Sequence, residues 1–203
     1  MIEAVVFDLG QVLSAPPDLL ARLAERIGVP PDALGAHYGT DRLAYDAGSD
    51  AAAYWGPILE ALDRAPDDDT VTALAELDAL ISMELRDDAL AILRDCAAAD
   101  VTVALLTNAS HALEPAIAAA DWRRHLDHVF VSATIGLLKP DEALYRHVTD
   151  ALGVAPERIA FIDDKPANVD GALRVGWTAH LWRDDADTRA WLTRLGVLDQ
   201  LDD

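Results

Sequence analysis

The sequence predicts a three-layer α/β fold: a parallel five-stranded sheet between layers of helix, with a helical cap inserted after the first strand. Three observations predict it. Short apolar runs rich in β-branched residues recur along the chain and end at polar residues or glycine, the pattern of strands buried on both faces. Amphipathic stretches separate these runs, and strands that alternate with helices build a parallel sheet covered on both sides. Between the first run and the second lies a long stretch with helical periodicity and no convincing strand.

In chain order, Ile2 to Phe7 is the first strand and stops at Asp8-Leu9-Gly10. Helical patterns follow at 17–28, 31–38, 50–63 and 69–84, broken at Pro30-Pro31, at Gly48-Ser49-Asp50 and at Pro66. These breaks punctuate an insertion rather than a continuous α/β unit. The expected division is a core of residues 1–14 and 87–203 with a cap of residues 15–86. Residues 87–99 place Leu90, Leu93 and Cys96 on one stripe. Val101 to Leu106 is the second strand, 110–120 a helix, and His128 to Val131 a weaker strand. A helix at 141–152 leads to the strand Ile159 to Ile162. The segment Asn168 to Val175 stops at Gly176, and Thr178 to Trp182 is the last strand. A chain of 203 residues accommodates one such domain and a smaller insert.

Acidic residues number 36 against 16 basic, a formal net charge of -20. Such a surface repels phosphate backbones and anionic lipid, which excludes nucleic-acid and membrane-surface binding as expected functions. An anionic substrate would need a local cation. The lone Cys96 falls on the apolar stripe of its helix and reads as a buried, inert thiol. One cysteine permits no internal disulfide, and the N-terminal residues show no basic leader or long apolar run. Both fit a cytoplasmic location. The expected state is a monomer or homodimer.

Ligands of open parallel sheets bind beyond the carboxyl ends of the strands. The residues expected there are Asp8 and Gly10, Thr107 and Asn108, and Asp163 and Asp164, with Lys139 on the loop before the 141–152 helix. Three crowded carboxylates repel one another at low dielectric, and a hard dication such as Mg2+ removes that cost. The Gly10 carbonyl offers a further oxygen. Helix capping would account for one of the paired acids but not for both. Lys139 neutralises the acids and an incoming phosphate. Thr107 and nearby backbone N–H groups would hold an oxyanion at the start of the 110–120 helix.

With these residues in place, the chain resembles the haloacid dehalogenase (HAD) superfamily, and within it the phosphatases related to the N-terminal domain of soluble epoxide hydrolase. Four motifs carry the resemblance in order: VVFDLGQVL at 5–13, LLTNAS at 105–110, GLLKPDEALY at 136–145 and FIDDKPANVDGALRVG at 161–176. It implies a Rossmann-like core, a HAD-like phosphoric monoester hydrolase, and a small phosphorylated metabolite as substrate. It implies that Asp8 is the nucleophile, that Thr107 and Asn108 bind phosphate, and that Lys139 neutralises charge. Asp164 and the Gly10 carbonyl would then ligate Mg2+ beside Asp8 and Asp163. One departure stands out. Most of these phosphatases carry an acid two residues after the nucleophile, where this chain has Gly10. Loss of a general acid costs a factor of roughly a hundred to ten thousand. The expected substrates therefore have good leaving groups, such as anomeric sugar, aryl or acyl phosphates.

Two other readings compete. An L-2-haloacid dehalogenase also attacks with aspartate, but it works without metal, and the acids at 163 and 164 argue against it. A catalytically degenerate binding or regulatory protein draws its support from Gly10 alone. The six histidines show no metal-ligand spacing. His37, Tyr38, Arg42 and Tyr45 read as ordinary cap residues rather than substrate contacts. Asp67, Asp68 and Asp69 read as a solvated helix start.

Overall fold

The computed structural model describes residues 1–199. Its five strands are β1 (Ala4–Phe7), β2 (Thr102–Thr107), β3 (His128–Val131), β4 (Ile159–Asp163) and β5 (Thr178–Leu181). They form one sheet in the order β3-β2-β1-β4-β5, and every neighbouring pair is parallel. The apolar runs show why. On β1, Val5 and Phe7 enter one core cluster while Ala4 and Val6 enter the other. On β2, Val103 and Leu105 take the first side, Ala104 and Leu106 the second. A strand buried on both faces has no polar side to alternate with, so it reads as a continuous apolar run.

Helices cover both faces of the sheet: α6 (Asp87–Ala98), α7 (Leu113–Ala119), α8 (Ser132–Ile135), α9 (Glu142–Leu152), α10 (Pro166–Arg174) and α11 (Asp185–Arg194), counted after the insertion. The insertion between β1 and β2 holds α1 (Leu19–Ile27), α2 (Pro31–Tyr38), α3 (Arg42–Asp46), α4 (Ala51–Ala61) and α5 (Asp68–Ser82). It has its own core, in which Leu23, Trp55, Leu59 and Leu74 are fully buried. Asp50 and Asp67 cap α4 and α5, each accepting a backbone N–H three residues on, at 2.7 and 2.9 Å. Asp67 is thus a helix start, as its charge run implied.

The insertion is tied to the sheet near the site. Ser132 donates to the Asp46 carbonyl at 2.5 Å, while the Ala109 N–H donates to Ser132 at 2.9 Å. A Cβ on Gly48 would lie 3.0 Å from the Ala133 carbonyl oxygen, so only glycine allows that close approach.

The structure adds elements that periodicity did not reveal: the short α3 and α8, and α11. Along α11 only Thr188 and Leu192 are buried, too few to mark a stripe. Its placement rests on side chains that dock it, through the ion pairs Arg86–Asp185 and Arg189–Asp95 and the stacking of His180 on Trp191. A correction concerns α7. It begins at Leu113 rather than residue 110, so Thr107 and Asn108 do not sit at a helix start. Residues 108–110 form an irregular loop instead. A loop, rather than the expected helix N-terminus, therefore follows the end of β2.

Candidate active site

The strand order reverses direction beside β1. The chain runs from β1 to β2 and β3 on one side and to β4 and β5 on the other, and such switch points open a crevice at the carboxyl ends. Phe7 pairs with Ile162 and with Leu105, so Asp8 and Asp163 end neighbouring strands at the same level. The Asp8 N–H donates to the Ile162 carbonyl at 2.9 Å, which holds the strand straight into the site.

Asp8 is 7% exposed. Its Oδ1 accepts from the Leu9 N–H at 2.7 Å and lies 2.8 Å from Lys139 Nζ. Among the described residues Oδ2 has no donor. One oxygen is held while the other stays free. Lys139 Nζ donates to Asp163 Oδ2 at 2.7 Å and to the Leu106 carbonyl at 3.0 Å, and forms an ion pair with Asp8 Oδ1. Burial alone would lower its pKa, but the two carboxylates more than reverse that and raise it above the ordinary lysine value. Burial pushes the Asp8 carboxyl up to about 6, with Lys139 opposing and Asp163 reinforcing the rise.

Asp163 is fully buried. Besides Lys139 it accepts from the Lys165 N–H at 2.8 Å and from Asn168 Nδ2 at 2.9 and 3.0 Å, one contact to each oxygen. Its lone pairs are occupied, so it anchors Lys139 and the loop into α10. Breaking a buried pair like this costs about 3–5 kcal/mol. Asp164 is only partly buried, and burial followed by the charge of Asp163 raises its pKa. Oxygens of Asp8, Asp163 and Asp164 lie within 4.8 Å of one another. Three carboxylates so close to the single buried ammonium of Lys139 leave excess negative charge, and oxygen donors of this kind fit Mg2+.

Thr107 is 4% exposed and ends β2. It lines a pocket of about 320 Å³ together with Asp8, Gly10, Lys139, Asp164 and Asn168. Asn108 lines it too, but its side chain has a structural task. Its Nδ2 donates to the Lys139 carbonyl at 3.0 Å and its Oδ1 accepts from the Lys139 N–H at 2.9 Å. This two-point clamp commits the side-chain amide of Asn108 to the Lys139 backbone. Of the residues expected at the strand ends, Asp8, Gly10, Thr107, Asn108, Lys139 and Asp164 line one crevice, and Asp163 lies buried behind it against Lys139. Asn168, which lines it, and the Leu106 carbonyl, which accepts from Lys139, were not expected there. Asn168 carried one signal, its place five residues after Asp163 in the first turn of α10. Cys96 is buried away from the site in the sheet core, and burial raises its pKa to about 12, an inert thiol.

The insertion brings a second charged cluster. Arg42 donates from Nε to Asp46 at 2.9 Å and from Nη1 to Asp78 at 3.1 Å and Tyr38 at 2.7 Å. Tyr38 donates to Asp78 at 2.5 Å. Burial, and then Asp78, pushes the Tyr38 phenol above its usual pKa.

Comparison with known proteins gives the family. A family profile described as haloacid dehalogenase-like hydrolase matches residues 2–176. Phosphoserine phosphatase of Thermus thermophilus is 31% identical over 157 residues, 75% of this chain and 63% of that protein. Bifunctional epoxide hydrolase 2 of Rattus norvegicus is 33% identical over 63 residues, 31% of this chain and 11% of that protein. The chain spans less than two thirds of the length of either relative. Among solved structures, a HAD family enzyme from Bacteroides thetaiotaomicron in complex with magnesium and inorganic phosphate superposes with a TM-score of 0.70. The identity is 17%, with coverage of 90% of this chain and 95% of that one, a likeness of fold.

Proposed function

We propose, from the premise that this chain belongs to the haloacid dehalogenase-like hydrolase family, that it is a magnesium-dependent phosphatase acting on a small phosphorylated metabolite through Asp8. The observation that carries the reading is the state of Asp8. One oxygen is held by the Leu9 N–H and Lys139, and the other has no donor among the described residues. That is the arrangement of an oriented nucleophile. A relative named as a phosphatase and a fold neighbour holding magnesium and phosphate point the same way.

In this reading Asp8, Asp164 and the Gly10 carbonyl hold Mg2+, with the charge of Asp163 behind them. The ion, when bound, neutralises the phosphate and polarises its oxygens. Asp8 Oδ2 attacks phosphorus in line, and the leaving oxygen departs with the electron pair of the broken P–O bond. Thr107 and the backbone N–H groups of the 108–110 loop donate to the phosphoryl oxygens. Lys139 keeps Asp8 ionised, and Asn108 keeps Lys139 in place. Water then hydrolyses the aspartyl-phosphate. Gly10 supplies no proton, so substrates with good leaving groups are preferred. Residues 15–86 act as the cap that encloses the leaving group.

The test is hydrolysis of acetyl phosphate with and without Mg2+. Asp8→Asn is expected to lose at least about a thousandfold in kcat, or ~4 kcal/mol of transition-state stabilisation, with its circular dichroism unchanged. Wild type should trap beryllofluoride with Mg2+ and release no halide from 2-haloacids. An Asp8→Asn variant with full activity would overturn the assignment.

A further inference from the structure

The loop after Asp8 holds a residue in an uncommon backbone state. Gln11 has φ 63°, in the left-handed region. Among the described residues the other non-glycine positions there are Asp41 and Asp63, whose short polar side chains tolerate that region, whereas glutamine enters it at a cost. The turn is fixed on both sides. The Gln11 N–H donates to the Ser14 carbonyl at 2.7 Å, and the Leu13 and Ser14 N–H groups both donate to the Leu9 carbonyl at 2.9 Å. From outside, Arg86 Nη2 donates to the Gln11 carbonyl at 3.3 Å and to the Val12 carbonyl. Arg86 is itself held by its ion pair with Asp185 and by the Trp182 ring, 4.9 Å below its guanidinium. Glycine would make this turn without strain. The turn therefore accounts for the backbone of residue 11 but not for its side chain.

Gln11 lines the 320 Å³ pocket with Asp8 and Asp164. It is exposed, and among the described residues its side-chain amide has no hydrogen-bond partner. The other amide side chains of the pocket are committed, Asn108 to the Lys139 backbone and Asn168 to Asp163. Lys139 and Lys165 also line it, and an ammonium only donates. Gln11 thus brings the pocket its one uncommitted amide, a neutral group that both accepts and donates. Gly10 beside it has no side chain, and a Cβ there would meet no atom within 4 Å. The space an acid would fill is large enough for water.

We infer that Gln11 is a catalytic residue of the second step, where it orients the water that hydrolyses the aspartyl-phosphate. The inference rests on the phosphatase reading. Gln11 Oε1 accepts a hydrogen bond from the water and so aims its lone pair at phosphorus, opposite Asp8. The water oxygen forms the new P–O bond. The bond from phosphorus to Asp8 Oδ2 breaks, and its electron pair returns to the carboxylate. One water proton passes to a phosphoryl oxygen, and the product leaves as dihydrogen phosphate. Gln11 gains and loses no proton, so an amide suffices. Glutamine orients attacking water in this way in other phosphoryl-transfer sites.

The experiment follows the phosphoenzyme. The protein with Mg2+ is mixed with radiolabelled acetyl phosphate and chased with excess unlabelled acetyl phosphate, and acid-quenched samples report the label on protein. Gln11→Gly relieves the turn, so its urea midpoint should equal or exceed that of wild type. Its label should form within about twofold of the wild-type rate and decay at least about tenfold more slowly. In steady state kcat and KM should then fall together, with kcat/KM held. Gln11→Met keeps the length of the side chain without its hydrogen bonds and should behave alike. Unchanged decay in either variant, or formation and decay slowed in proportion, overturns the assignment and leaves the phosphatase reading standing. Wild type that neither takes up label nor releases labelled phosphate removes both.

Discussion

At Gly10 a Cβ would meet no atom within 4 Å, and the backbone there is not left-handed. Nothing in the packing calls for glycine, so the position can carry an acid. Gly10→Asp is therefore expected to fold normally. It should raise kcat/KM on alkyl phosphates, whose leaving groups need a proton, by at least about tenfold, toward the hundredfold or more that general acids supply. Acetyl phosphate, which needs none, should gain little. Rates on a series of leaving groups would check this, and an equal effect on all of them would show that no proton is delivered. The neighbouring residues divide cleanly by what a sequence can reveal. Asp8, Asp163 and Asp164 were legible because charged residues at the ends of buried strands have few other uses, and Lys139 because three crowded acids need a cation. The clamp of Asn108 on Lys139 was not legible, since it joins residues 31 apart through backbone atoms that carry no side-chain signal.

Among the elements, α10 bears most directly on the site. Gly171 lies where a Cβ would come 2.8 Å from the Tyr145 ring and 2.9 Å from the Pro140 carbonyl oxygen. Tyr145 is fully buried and Pro140 follows Lys139, so neither can give way freely. Gly171→Ala gains up to ~1 kcal/mol of helix propensity. The overpacking should outweigh it, with a net destabilisation of about 1–3 kcal/mol in urea titrations. Turnover should fall as well, because α10 would press on the loop that holds Lys139. An unchanged urea midpoint would show that the helix shifts at no cost. The same contact explains why α10 was recognisable while its role was not. Its helical pattern is local, whereas the approach of Pro140 depends on how α9 and α10 pack. The insertion helices were likewise legible one by one, apart from α3, whose five residues are held by Arg42 and by the Asp46–Ser132 contact rather than by periodicity.

For the whole molecule, a net charge of -20 sets the response to salt. Exposed pairs such as Arg158–Glu3, Arg174–Glu142 and Arg146–Glu142 are each worth at most ~1 kcal/mol and weaken as salt rises. Repulsion among the excess acids weakens too, and with 36 acids against 16 bases it is the larger sum. Between ~10 mM and ~1 M salt the Debye length falls from about 30 Å to about 3 Å. The thermal midpoint should rise over that range, by ~2–4 °C for each kcal/mol of repulsion relieved. A falling midpoint would mean that the ion pairs dominate. The low charge of the interior is what lets the fold tolerate this surface: the two faces of the sheet are built of apolar clusters. No helix among the described residues is long and apolar enough to cross a membrane.

What the chain's sequence determined by itself was the sheet, the place of the helical insertion, and the acids and lysine that gather at the strand ends. Each follows from local rules: apolar runs must be buried, and charges beyond a buried strand must meet a partner. The tertiary structure decided which oxygen of Asp8 is free, that Asp163 pairs with Lys139, and that α7 starts only at Leu113. It also decided that Arg42 and Asp78, read as ordinary cap residues or not noticed, stand at the wall beside Gly10. These depend on contacts between segments far apart in the chain. Only packing sets such distances, and no pattern along the sequence records them.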